Sequence, residues 1–315
     1  MRSVFSLFAF AAASTLAACS GSSPSGLKGP ETSSDSGTGG GVGGGGGGDT
    51  VIVPTDPGSG DAGVASNCSD AAKLVYLVSE ENVLVSFDPS KPGRSAYQSI
   101  GTLDCASSSA PQTMGVDRSG TAWVFFSDGH LFKVNVTNAH CTSTSYTYPG
   151  ASTGFMLGSG FTALGGNVAN EALFLLRDGE GLQQFNTATL TKTSTGGLRT
   201  TSGELTGGPD GKLFVFDPSS SGRIGEINTS TWAVNTVKTF SGSTFQGVSA
   251  FAFARYAGSF YMFTAGTDSS GLFPTTTKTT VFDPVAGTTS IRDADIGITV
   301  VGAGQSVCVP PPPIR

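Results

Sequence analysis

An all-β domain built from a repeated unit is what this chain predicts, on three observations: helical periodicity is nearly absent, short apolar runs recur every 40 to 50 residues, and turn-forming residues separate them. Nowhere after Asn67 do apolar residues fall at i, i+3, i+4 and i+7 over a dozen positions. Short stretches of Val, Phe, Tyr and Thr, bounded by Gly, Asp, Asn, Ser and Pro, take their place.

Five apolar runs align: Leu74-Val75-Tyr76-Leu77-Val78-Ser79, Ala122-Trp123-Val124-Phe125-Phe126-Ser127, Ala172-Leu173-Phe174-Leu175-Leu176-Arg177, Lys212-Leu213-Phe214-Val215-Phe216-Asp217 and Ser259-Phe260-Tyr261-Met262-Phe263-Thr264. Their starts lie 48, 50, 40 and 47 residues apart. Each is followed by a second short strand that closes on an Asp or Asn turn, at Asp88, Asn135, Asn186, Asn228 and Asp283. Two markers per repeat define a repeated hairpin, and a repeat of this length with about four strands is the size of a propeller blade. Continuous apolar runs suit the second strand of a blade, which neighbouring blades cover on both faces. The expected fold is a single β-propeller over residues 67–315 with five blades, or six if the long fifth repeat hides another. A solenoid or jelly roll is the rival arrangement.

Gly208-Pro209-Asp210-Gly211-Lys212-Leu213-Phe214-Val215 and Gly115-Val116-Asp117-Arg118-Ser119-Gly120-Thr121-Ala122-Trp123-Val124 resemble the inner hairpin of NHL-like and YVTN-like propellers. That resemblance implies the fold and leaves function open. Closure is legible as well. The first repeat begins directly at its second strand, whereas Ile298-Thr299-Val300-Val301 is a strand without a blade, and together they complete one. Cys68, Cys105, Cys141 and Cys308 are an even set with three possible pairings, as expected in an oxidising compartment. Cys68 and Cys308 flank the closing blade, and Cys105 and Cys141 sit near the outer strands of adjacent repeats, so these two pairs are expected to be the disulfides.

Ahead of the domain, Arg2, an apolar run from Val4 to Ala13 and the small residues that follow form a signal peptide over residues 1–18. The run is shorter than the roughly 20 apolar residues of a spanning helix. Leu16-Ala17-Ala18-Cys19 resembles the bacterial lipobox of surface lipoproteins. The resemblance implies cleavage before Cys19, acylation of its thiol and a lipid bilayer as partner. Ser20, where inner-membrane retention would use Asp, implies the outer membrane. Residues 19–66 are rich in Gly, Ser, Pro and Thr, with an unbroken glycine run from Gly43 to Gly48. Such a stretch has no side chains with which to build a core and reads as a tether with a mean span of about 35 to 40 Å.

Motifs for chemistry are missing or incomplete. Gly150-Ala151-Ser152-Thr153-Gly154 has the Gly-x-Ser-x-Gly spelling without the strand-to-helix elbow that exposes a nucleophile. Gly207-Gly208-Pro209-Asp210-Gly211-Lys212 is one residue short of a phosphate loop, and Leu213 stands where a magnesium-binding hydroxyl belongs. Asp293-Ala294-Asp295 is too sparse for a calcium loop. The two histidines, His130 and His140, fall at turn and edge positions, and no Cys-x-x-Cys exists. No catalytic residue, metal or cofactor is therefore expected. With 17 basic and 23 acidic residues and no basic stripe, nucleic acid is excluded as a partner.

Propellers generally present ligands on the face that carries the loops between second and third strands. Here those loops begin at Ser79, Ser127, Arg177, Asp217 and Thr264, the candidate ligand-binding positions. Arg177 ends an apolar strand and needs water or a carboxylate, for which Asp178 and Asp217 are candidates. A long loop from Thr264 to Thr280 carries Leu272-Phe273-Pro274 as a possible contact knob. The expected function is a membrane-anchored, externally displayed, non-catalytic module that binds a glycan, an envelope polymer or a protein. The alternatives are a structural subunit of an envelope or adhesion complex, marked by an apolar patch on the blade edges, and a propeller lyase or glycosidase, marked by carboxylates facing one another across the channel.

Overall fold

In a computed structural model of the protein, which describes residues 68–151, 156–198, 202–267 and 275–313, the five apolar runs become the second strands of five four-stranded antiparallel sheets. Blade 1 contains β1 (Val75–Ser79), β2 (Val83–Phe87) and β3 (Tyr97–Thr102). Blade 2 runs β4 (Pro111–Val116), β5 (Thr121–Phe126), β6 (His130–Asn135) and β7 (Cys141–Thr147). Blade 3 runs β8 (Gly158–Leu164), β9 (Asn167–Arg177), β10 (Gly181–Asn186) and β11 (Thr191–Ser194). Blade 4 runs β12 (Glu204–Gly207), β13 (Leu213–Asp217), β14 (Arg223–Ile227) and β15 (Val234–Thr239). Blade 5 runs β16 (Val248–Tyr256), β17 (Ser259–Gly266), β18 (Lys278–Asp283) and β19 (Thr288–Asp293). The last strand, β20 (Val300–Gln305), pairs antiparallel with β1, Leu77 opposite Ala303, and is the inner strand of blade 1. The protein is a five-bladed β-propeller closed as the two ends of its repeat pattern require.

Alternation explains why the second strands are apolar throughout. Tyr76 and Val78 of β1 pack toward blade 2, with Met114, Val116 and Val124. Val75 and Leu77 pack toward blade 5, with Ala252, Ala254 and Phe263. In the same way β5 sends Val124 and Phe126 back toward blade 1 and Trp123 and Phe125 forward to Leu173 and Leu175 of β9. Phe174 and Leu176 meet Leu213 and Val215 of β13, while Phe214 and Phe216 meet Phe260 and Met262 of β17. Successive side chains of a strand point to opposite faces, so a strand between two blades needs apolar residues at every position. Five interfaces result, one per neighbouring pair of blades.

The markers at the ends of the third strands have a common geometry. Side-chain oxygens of Asn135, Asn186, Asn228 and Asp283 accept main-chain N–H bonds of 2.8 to 2.9 Å from the residue two positions on. Four positions after each marker stands a residue with positive φ: Ala139, Leu190, Trp232 and Gly287. This is the Asx turn that short amide and carboxylate side chains make with their own backbone.

Inner strands β4, β8, β12, β16 and β20 crowd the axis. There a methyl group on Gly207 would sit 2.2 Å from the carbonyl oxygen of Phe161 on the neighbouring inner strand. The face reached by the ends of these strands is closed by the segment after β20. Val307, Cys308 and Val309 are buried, the first two against Ala72 and Ala163, and Ser306 Oγ donates to the carbonyl of Ala72 at 2.7 Å. Both expected disulfides are present, Cys68–Cys308 with Cα atoms 5.8 Å apart and Cys105–Cys141 at 4.9 Å. In the chain-entropy account, a bridge closing a loop this long stabilises by about 5 kcal/mol at most.

The signal peptide, Cys19, the tether, Ser152 and Leu272-Phe273-Pro274 lie outside the described residues. Among the described residues no helix is long and apolar enough to cross a membrane.

Overpacking the axis tests the ring directly. Gly207→Ala is expected to lower stability by about 1 to 3 kcal/mol, a fall in Tm on the order of 5 °C by thermal circular dichroism. Ser290→Ala, on the exposed outer strand β19, is expected to leave it unchanged.

Candidate functional site

On the open face, the starts of all five inner strands surround a cavity of about 490 Å³. Pro111 and Gln112 come from β4, Gly158 from β8, Glu204 from β12, Ser249 and Ala250 from β16, and Val301 from β20. The loops after the second strands add Glu80 and Ser127, and Leu176 comes from the end of β9. A second cavity of about 390 Å³ adjoins it, sharing Met156, Ser202 and Phe251 and adding Asp217, Ser219, Phe245 and Gln246. The face carrying the loops between second and third strands is thus the concave one.

Glu204 stands at the floor. It is 3% exposed, and its Oε2 accepts from Thr113 Oγ1 at 3.0 Å and from the main-chain N–H of Ser159 at 3.5 Å. Thr113 and Ser159 hydroxyls lie 2.9 Å apart. Strands β4, β8 and β12 thereby meet through one carboxyl. None of its bonded partners is a cation, so burial raises its pKa well above the ordinary carboxylate range, and the hydrogen bonds from Thr113, Ser159 and Leu205 only partly offset that. Deeper on the axis, Gln305 of β20 bonds Thr206 and the carbonyl of Gly207 across the ring, which ties blade 1 to blade 4. Nothing in the run Ser202-Gly203-Glu204-Leu205 marks Glu204 as special to a reader of the sequence. Only its register in an inner strand puts it on the axis.

The five positions expected from the sequence divide. Ser127 lines the axial cavity and Asp217 the adjoining one. Ser79 is fully buried and its Oγ accepts from Val83 N–H at 3.2 Å, turning its hairpin, while the following residue, Glu80, is the one exposed at the rim. Thr264 is 3% exposed inside the ladder, between Phe251 and Lys278. Arg177 pairs with neither Asp178 nor Asp217. Its Nη1 meets Glu180 Oε1 at 2.6 Å, its guanidinium donates to the carbonyls of Pro149 and Gly150, and it lies over the ring of Tyr148. Glu180 sits three residues on, where the hairpin turn brings it back beside Arg177, and this register was not visible in the spacing alone. Lys192, Tyr148 and Gln183 also donate to Glu180. Their bonds outweigh the upward push of burial and bring its pKa down to about 2.

Elsewhere the turn and edge readings are matched by the geometry. His130 pairs with Asp128 and His140 with Asp104, both exposed. Gly129 and Gly179 hold the positive φ that their hairpin turns need. Asp293 accepts from Tyr97, and Asp295 from Thr276 and Gly297. Asp210, in the β12–β13 turn, takes both guanidinium nitrogens of Arg255 at 2.8 and 2.9 Å, on the closed face. Among the described residues no group of three or more His, Cys, Asp or Glu is placed to hold a metal ion.

No family model and no curated protein matches the chain. Solved structures do. The crystal structure of a nidogen/laminin complex is similar at 7% identity and a TM-score of 0.45, over 73% of this chain and 97% of that one. The extracellular domain of a putative one-component system from B. thetaiotaomicron is similar at 12% identity and 0.38, over 72% and 29%. An exo-β-1,3-galactanase from Phanerochaete chrysosporium, crystallised with β-1,3-galactotriose, is similar at 13% identity and 0.42, over 59% and 50%. The chain spans less than a third of the second and half of the third.

Glu204 gives folding a pH dependence of definite sign. Below about pH 4 both the folded and unfolded chains hold its proton. As the pH rises the unfolded chain releases it and the folded one keeps it, so stability falls by about 1.4 kcal/mol per pH unit until the raised folded pKa is passed. Glu171, whose pKa burial lifts to about 7, adds a loss of the same sign that ends near neutrality. Glu204→Gln is therefore expected to melt higher than the parent at pH 8 by a margin that shrinks at pH 5. Parallel melting curves at the two pH values would contradict the assignment.

Proposed function

We propose that this protein is an externally displayed, non-catalytic binding module, held to a membrane by acyl chains on Cys19 and taking a glycan on the axial face of its propeller. The composition of the cavity carries the reading. Phe251, Met156, Leu157 and Leu176 line it together with the polar side chains of Ser127, Ser202, Ser249 and Gln112. Sugars present that combination, apolar C–H faces edged by hydroxyls. Among the described lining residues of both cavities there is no Lys, Arg or His, which disfavours phosphorylated or carboxylated ligands. The volume is within the 300 to 1,000 Å³ common for small-molecule sites, about right for a short stretch of a chain continuing into the adjoining cavity.

The lipid anchor rests on the lipobox resemblance, and the outer membrane on Ser20. Two disulfides suit an oxidising compartment. A structural-subunit role finds less support. Among the described residues the large apolar side chains left exposed are Met156, Val285 and Ile291, of which Met156 belongs to the cavity rim. One observation favours a glycosidase as second reading: Glu80 and Glu204 line the same cavity, and burial pushes the Glu204 carboxyl toward the protonated form that a general acid needs.

Detergent-solubilised full-length protein, applied to an array of neutral oligosaccharides, is expected to retain at least one class. Met156→Ala and Phe251→Ala are expected to weaken that binding several-fold and about tenfold, while Ile291→Ser, on an outer strand, leaves it unchanged. Retention of no neutral glycan would overturn the reading. Release of reducing ends from a retained glycan, lost in Glu204→Gln, would replace binding by hydrolysis.

A further inference from the structure

The charge balance of the axial cavity says more about its ligand, on the premise that the ligand is a glycan. We infer that the cavity selects a sugar bearing a free primary amine, its ammonium seated against Glu204 with Glu80 at the rim. Three facts meet here. Glu204 is a carboxyl 97% removed from solvent that nevertheless lines an open cavity, and its bonded partners are a hydroxyl and main-chain N–H groups, none carrying charge. The other titratable groups facing it from the surrounding walls are Glu80, after β1, and Asp217, in the adjoining cavity; among the described lining residues β4, β8, β16 and β20 contribute none. Phe251 offers a ring to the same space, and an aromatic face attracts a cation.

Two other partly buried carboxylates have cations of their own within the chain. Glu180 has Arg177 and Lys192, and Asp210 has Arg255. The axial carboxyl lacks such a partner among the described residues, and an ammonium on the ligand supplies one. No covalent bond is made or broken: a carboxylate–ammonium pair forms, any proton on the Glu204 carboxyl passing to the incoming amine or to solvent. N-acetylation of the sugar amine removes the positive charge and the donors that such a pair needs.

Calorimetric titration of detergent-solubilised full-length protein at pH 7 tests this with a glucosamine tetramer and its N-acetylated counterpart. The amine tetramer is expected to bind at least tenfold tighter. Glu204→Gln keeps the amide in place of the carboxyl and is expected to fold, checked by its melting curve, while losing the preference. Trilysine, with ammonium groups but no sugar face, is expected to bind at least tenfold more weakly than the amine tetramer; equal binding overturns the sugar requirement. Equal affinity for the two tetramers, or an amine preference that survives Glu204→Gln, overturns the inference and leaves the glycan reading standing. Failure of both tetramers while the neutral array retains other glycans overturns it likewise; only an array that retains nothing removes the glycan reading as well.

Discussion

Everything in this structure depends on each second strand serving two interfaces at once. Odd and even side chains of β1, β5, β9, β13 and β17 belong to different cores, so no blade can bury its central strand without a neighbour on each side. A row of such units is satisfied only when it closes. Five units close tightly, which presses the inner strands together at the axis and selects glycine there, as the 2.2 Å approach at Gly207 shows. Polar side chains that remain on the axis must then satisfy one another. Thr113, Ser159 and Glu204 do so at one level, Gln305 and Thr206 at the next. The cavity is what remains where the starts of the five inner strands splay apart.

Much of the architecture was legible because its causes are local or periodic. The doubly buried runs, the Asx turns at Asn135, Asn186, Asn228 and Asp283, and the orphan strand that became β20 each leave a mark on the chain itself. The candidate site was legible only in part. Loop positions could be assigned to the face that holds the cavities, where Ser127 and Asp217 line them, but the side of each strand end was not legible. Ser79 and Thr264 turned inward while Glu80 turned to the rim. For Arg177 the spacing offers water, Asp178 or Asp217, and the partner is Glu180, brought near by the return of its own hairpin. Glu204 left no signal, since its meaning lies in contacts with β4 and β8 that are 91 and 45 residues distant.

Three carboxylates show how one fold assigns opposite electrostatics to the same functional group. Glu180, ringed by donors and two cations, is driven toward permanent ionisation. Asp210 is held in a two-point pair that locks blade 4 to blade 5, its Arg255 partner stacked over Phe214 and Phe260. Glu204 has hydrogen bonds without a countercharge. The first two are finished structural devices whose needs are met within the chain. The third has no such countercharge and stands beside the open cavity.

Completion of blade 1 by β20 has a consequence for how the protein is made. The strand that covers β1 is made after every other strand of the ring, so β1 waits, with an unpaired edge, through the synthesis of more than 200 residues. Unpaired strand edges are templates for wrong partners. Each of the five inner strands contributes to the cavity, and Val301 is supplied by that final strand. A copy truncated before residue 300 therefore lacks the strand that closes the ring and one wall of the cavity. Arrival of β20 is a single event that ends the risk of mispairing, brings Cys308 to Cys68 and completes the wall of the axial cavity.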